Sequence, residues 1–163
     1  MADTYFFLKL EGIDGESQDT DHSGQIDISQ FMESITNVGT YDAGTGGNTG
    51  KAQFNDISIT KYVDKSTATL RQYCALGTSI DKATISCNKQ AGDKKVEYFK
   101  ITLHNVVLTA TVSSGSGGSS EPLTESLTLN FAGIEYDYTQ QSNTGVAMGT
   151  THFGRDIQKN TNI

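Results

Sequence analysis

The sequence predicts a mainly β fold: a small closed β-barrel or two-sheet sandwich carrying one α-helix. Three observations predict it. Apolar residues recur at every second position, as in Leu127, Leu129 and Phe131, which places them on one face of a strand. Glycine is abundant, with 17 residues, and Pro122 is the only proline, a composition that suits strands joined by long turns. A helical period occurs once, where Leu70, Tyr73 and Cys74 fall on one side of a helix. The chain of 163 residues forms one domain, 1–163, long enough to bury a core without covalent staples.

The elements follow in order. Tyr5 to Leu10 is apolar on both faces, the mark of a strand covered on each side. An acidic turn leads to a second strand marked by Ile26, Ile28, Phe31 and Ile35, and its change of parity between Ile28 and Phe31 predicts a bulge. Residues 37–50, "NVGTYDAGTGGNTG", show no apolar period and are expected to form a long loop; loops of this length are usually functional or disordered. Phe54, Ile57, Ile59 and Tyr62 mark the next strand. The helix is expected from Ser66 to Leu76, with Ser66 or Asp64 as N-cap and Gly77 ending it. Strands return at Ala83–Cys87, Val96–Val112 and Leu123–Tyr138. In the last, parity reverses at Ala132-Gly133, where a glycine bulge would bend the strand. "SSGSGGSSEP" reads as a flexible connection.

Charge and composition exclude several functions. The formal net charge is −7, and the only lysine pair of note is Lys94-Lys95, so nucleic acid is not an expected partner. No stretch approaches the ~18 apolar residues of a membrane-spanning helix, and the N-terminus reads as lacking a secretory signal. Cys74 and Cys87 are expected to be reduced and largely buried, as cysteines of a cytoplasmically folded chain usually are.

Three motifs invite a chemical reading and fail it. "DTDHSGQIDISQF", Asp19 to Phe31, matches a calcium loop at Asp19, Asp21, Ser23, Gly24, Ile26 and Asp27. Gln30 stands where the bidentate Glu should be, and strand patterns rather than helices flank the loop, so it reads as a solvated turn. "GTGGNTGKA" lacks the first glycine of a phosphate-binding loop and has Ala52 where a hydroxyl should follow the lysine. His22, His104 and His152 are scattered without metal-ligand spacing; His22 is expected to be solvated. No Gly-x-Ser-x-Gly elbow is present. The chain is therefore expected not to be an enzyme and to need no cofactor or metal.

Three longer stretches, in order, carry a resemblance: "IDGESQDTDH", "ISITKYVDKSTATLRQYCALG", and "VEYFKITLHNVVLTATVSSGSGG" with "LTESLTLNFAGIEYDY". Within them stand Asp14-Gly15-Glu16-Ser17, Thr60-Lys61 with Asp64 and Ser66, Cys74 with Gly77, Tyr98 with Ile101-Thr102-Leu103, and Asn130-Phe131-Ala132. Together they resemble the haemolysin-coregulated protein (Hcp) family, the tube subunit of the bacterial type VI secretion system. The family often carries Trp where this chain has Phe31 and again near Arg155; this chain has none. The resemblance implies a phage tail-tube-like barrel, a homo-hexameric ring, and rings stacked into a tube inside a contractile sheath. It further implies a tip (spike) protein, small effector proteins held in the lumen, and assembly in the cytoplasm followed by export. The ring-stacking surface is assigned to Tyr41, Gly46, Gly47 and Asn48 in the long loop, with Gly92, Asp93 and Gln158. A phage tail tube protein and a calcium-dependent binding module are the alternatives. Calorimetric titration with calcium is expected to show no micromolar site; a site abolished by Asp19→Ala would restore the calcium reading.

Overall fold

The computed structural model describes residues 3–40 and 48–163. The chain begins with β1 (Thr4–Leu10), then β2 (Ile26–Ile28) and β3 (Gln30–Met32). Short strands β4 (Ile35–Thr36), β5 (Gly39–Thr40), β6 (Asn48–Thr49) and β7 (Gln53–Phe54) follow, then β8 (Ile57–Tyr62) and α1 (Thr67–Leu76). Long strands complete it: β9 (Ile80–Ala91), β10 (Lys94–Ser114), β11 (Thr124–Gln141), β12 (Ala147–Asp156) and the short β13 (Thr161–Asn162).

Nine strands form one antiparallel sheet. Its main path runs β13-β12-β11-β10-β9-β1-β2, and β8 branches from β11 and carries β3. The β2–β3 segment is a corner. Ile28 faces Phe6 of β1, whereas Phe31 faces Ile59 of β8. Only Ser29 stands between the two ladders, and its N–H donates to the Thr60 carbonyl at 2.9 Å. The parity change expected between Ile28 and Phe31 is this corner. No ladder joins β2 to β3 among the described residues, so strand pairing alone leaves the circuit open there, and the molecule is a folded sheet around one core.

A second corner lies in β10 and β11. Leu103 faces Ile134 and Val106 faces Phe131, so three residues rather than two separate successive buried pairs on both strands. Parity therefore reverses on both strands together, with no register slip at that point. The sequence places this reversal correctly but assigns the backbone distortion to Gly133. The left-handed residue is instead Asn105 of β10, at φ +51°. Asparagine tolerates that region better than other residues with a Cβ. Beyond the reversal β11 also changes its second partner, from β8 over Thr124–Leu129 to β12 over Gly133–Gln141. One pair of strands thus serves both layers.

The core between the layers is aliphatic: Leu8, Ile26, Ile57, Ile59, Ile85, Ile101, Leu103, Leu127 and Leu129 are fully buried, joined by Leu70 of α1. Two ionised side chains share that burial. Lys61 and Glu125 are direct cross-strand partners on β8 and β11. The Lys61 ammonium lies 2.5 Å from Glu125 Oε1 and donates to Asp64 Oδ1 at 2.9 Å and to the Tyr62 carbonyl at 2.8 Å. Thr67 Oγ1 donates to the same Glu125 oxygen at 2.9 Å, and Arg71 lies 3.3 Å from the other. The helix starts here. Asp64 Oδ1 accepts from Ser66 N at 2.9 Å, while the Ser66 side chain makes no cap bond to the helix. Ser66 therefore holds the N-cap position while Asp64 supplies the side-chain acceptor, and the helix begins at Thr67, one residue later than Ser66. Gly77, at φ +63°, ends it as expected.

Three further expectations need correction. The described ends of the expected loop 37–50 are paired strands, β5 with β6, and β4 pairs with β7 just outside it. β12 and β13 lie where no strand was expected. His22 is not solvated but 8% exposed. It stacks on Phe7 with ring centroids 4.3 Å apart, its Nδ1 donates to Gln25 Oε1 at 3.1 Å, and its Nε2 accepts from Asn88 Nδ2 at 2.6 Å. The acidic turn thus folds over the outer face of β1 and β9, covering Phe7. Gly15 seats it: a Cβ there would lie 2.4 Å from the Gln25 carbonyl oxygen, closer than any side chain permits.

Removing one member of a buried ion pair strands the other, at a cost of about 3 kcal/mol or more. Lys61→Met is expected to lower stability by at least about 3 kcal/mol, and Lys61→Met with Glu125→Leu to recover more than half of it. Urea denaturation of the two variants checks this.

Candidate assembly interface

The residues assigned to stacking fall at separate places on the fold. Gly92 and Asp93 form the exposed turn between β9 and β10, where Gly92 adopts φ +62° and its carbonyl accepts from Gln90 Nε2 at 2.7 Å. The β11–β12 turn lies beside it. A Cβ on Gly145 would stand 3.3 Å from the Ala91 Cβ. The two turns form one end of the sheet, with Val146 and Met148 exposed nearby. Reading the sequence missed the second turn, although "SNTG" carries an ordinary turn signal.

Gln158 is exposed in the turn between β12 and β13, beyond Asp156. Asp156 faces Gly133, which faces His104, and His104 stands ten residues further along β10 than Lys94. At about 3.3 Å per residue that separation is about 33 Å. Gly92 and Asp93 therefore do not share a patch with Gln158.

Asn48 lies in β6, opposite Thr40. Tyr41, Gly46 and Gly47 lie outside the described residues. The base of segment 39–50 is fixed to the sheet: Tyr136 OH donates to Glu33 Oε2 at 2.8 Å, and Asn55 bonds Ser34 through both backbone and side chain. Burial, then the bond to Glu33, holds the Tyr136 hydroxyl well above its ordinary value. Tyr136 also stacks between Phe99 and Phe153, with centroids 6.3 Å and 6.1 Å away.

Electrostatics near the acidic turn are local. Asp19 pairs with Lys95, and that bond lowers the carboxyl and raises the ammonium. Lys95 also lies over the Tyr5 ring, 5.2 Å from its centroid. Both cysteines are free. Cys87 is buried, and burial, aided by the charge of Glu97, pushes its thiol up to about 12. Cys74 is half-buried on α1. A thiol kept protonated and out of solvent reacts slowly. Labelling of the folded protein is expected to modify Cys74 well before Cys87; equal rates would count against this packing.

Comparison with known proteins agrees with the fold. The family model described as type VI secretion system effector, Hcp, matches residues 7–138. Protein hcp1 of Pseudomonas aeruginosa is 37% identical over 155 residues, covering 94% of this chain and 95% of that protein. A solved type six secretion system protein superposes with a TM-score of 0.93 at 26% identity, over 99% of this chain and 100% of that one. Hcp1 from Salmonella typhimurium superposes with a TM-score of 0.79 at 26% identity over the whole of both chains. The baseplate of the anti-feeding prophage shares the fold at 9% identity, with a TM-score of 0.51 over 82% of this chain and 91% of that one. A family match over most of the chain and a relative at this identity settle the membership: the chain belongs to the Hcp family of type VI secretion system proteins.

Proposed function

We propose that this chain is the structural subunit of a type VI secretion tube. Six copies close into a ring, the sheet completing a barrel across the Ser29 corner in each. Rings stack head to tail inside a contractile sheath and leave the cell with a tip protein and small effectors. The observation that carries this reading is the near full-length likeness to the Pseudomonas aeruginosa relative. The positions of the stacking candidates support it. Head-to-tail stacking is heterologous and needs two different patches at opposite ends of the subunit. Gly92 and Asp93, with the adjoining β11–β12 turn, supply one, and Gln158 the other, about 33 Å away at the rise of a strand. The segment 39–50 adds a contact to the next ring. On this reading the protein has no catalytic role, assembles in the cytoplasm and is exported through the type VI apparatus.

Native mass spectrometry is expected to give a hexamer at micromolar concentration, and electron microscopy under crowding to show tubes. Replacing residues 39–50 by a short Gly-Ser turn is expected to leave the hexamer intact, because lengthening or shortening a loop changes closure entropy by only ~0.6 kcal/mol per doubling. Tubes are expected to shorten or vanish. A monomeric mass for the unaltered chain overturns the ring. Normal tubes from the shortened chain remove the segment from the stacking contact.

A further inference from the structure

On the face of the sheet turned away from the core, β10, β11 and β12 bring together two histidines and two carboxylates. Strand register places Lys100, Asp137 and His152 in one row and Thr102, Glu135 and Gly154 in the next. His152 Nδ1 lies 2.8 Å from Asp137 Oδ1. Its Nε2 lies 3.3 Å from the Ile163 carbonyl oxygen and 3.8 Å from Glu135 Oε1. The other Glu135 oxygen meets His104 Nε2. Gly154 makes the arrangement possible, because a Cβ there would come within 2.7 Å of the Ile163 oxygen and 3.1 Å of Glu135 Cγ.

We propose that His152, held against Asp137 and Glu135, forms a pH-sensitive clasp that fastens β12 to the sheet in mild acid and loosens when its imidazole loses a proton. The partners of His152 carry the argument. Both of its ring nitrogens face acceptors only, and an imidazole can donate from both nitrogens only when it is protonated. The neutral ring keeps one bond and gives up the other. The bond to Asp137, then that to the Ile163 carbonyl, raises His152 above its ordinary 6.5. Its contribution is therefore complete below that ordinary value and is lost as pH rises through the raised one.

The surrounding charges do not cancel the effect. On this face β9 contributes Lys82 beside His104, β10 contributes Lys100 beside Asp137, and β12 contributes Asp156 in the row of His104. Two lysines thus stand against the three carboxylates Glu135, Asp137 and Asp156. β13 contributes no charged side chain, and the Ile163 main-chain oxygen just beyond it faces His152 Nε2. β12 is the element that such a clasp would govern. β13 pairs only with its Arg155 and Asp156, so over Ala147–Gly154 the ladder to β11 is its sole described strand pairing. A strand paired on one side opens at lower cost than the core.

Hydrogen exchange of β12 amides, expressed as protection factors at about pH 5.5 and about pH 8, tests the clasp across the histidine range. Native mass spectrometry confirms the same ring state at both values, which keeps the result separate from assembly. The unaltered protein is expected to lose β12 protection severalfold at the higher pH. His152→Gln and Asp137→Asn are expected to flatten that dependence, with thermal midpoints at the higher pH showing that both variants fold. Equal protection at the two pH values in the unaltered protein overturns the proposal, as does an equal fall in the protein and both variants.

Discussion

The buried contact between Lys61 and Glu125 is the constraint from which the rest of the arrangement follows. Burying two ions in an aliphatic core is costly unless every remaining lone pair and proton finds a partner. Here most of the remaining partners come from the next segment of chain: Asp64 and Thr67 by hydrogen bonds, and Arg71, which approaches Glu125 Oε2 at 3.3 Å without a hydrogen bond. Satisfying the pair therefore fixes where α1 starts and how it lies along β10. Asp64 serves twice, accepting from the Lys61 ammonium and from Ser66 N at the helix start. Helix position and the β8–β11 register are thus tied together by one network rather than by two independent preferences.

The two corners explain how a single antiparallel sheet encloses a core. At Ser29 the backbone changes partner from β1 to β8; at Asn105 the β10–β11 pair turns its apolar side over. Each corner shows as a broken alternation in the sequence, because side chains must keep facing inward while the strand changes layer. The acidic turn then closes the outer face over Phe7, and for that reason β1 is apolar on both sides.

Most of the long strands and the helix were legible in sequence, because their apolar periods are long. What was missed lacked a period. "AMGTTHFGRD" of β12 has little alternation and is mostly exposed, so only its register with β11 makes it a strand. The two-residue strands β5 and β6 are too short to show any period. Lys61 was singled out only as part of the Thr60-Lys61 stretch and Glu125 not at all, and neither was read as buried. The signal was present, since Ile57, Ile59 and Lys61 share one parity, as do Glu125, Leu127 and Leu129, but nothing local tells a buried charge from an exposed one. His22 was misread for the same reason: Phe7 and Asn88, far off in sequence, bury it. Of the stacking candidates, Gly92, Asp93 and Gln158 do lie exposed in turns, yet their separation depends on strand register, which no local pattern reveals.

Because β10 and β11 run without a break through both layers, the layers are mechanically one body. In an ordinary sandwich, a force along the strands can slide one sheet over the other, and only side-chain packing resists. Here the same displacement must shear the ladder of the β10–β11 pair, whose hydrogen bonds are loaded together and yield together. A subunit pushed from one end passes the thrust to the other through covalent chain and a ladder interrupted only at Asn105 and at the register shift between Leu108 and Ala110.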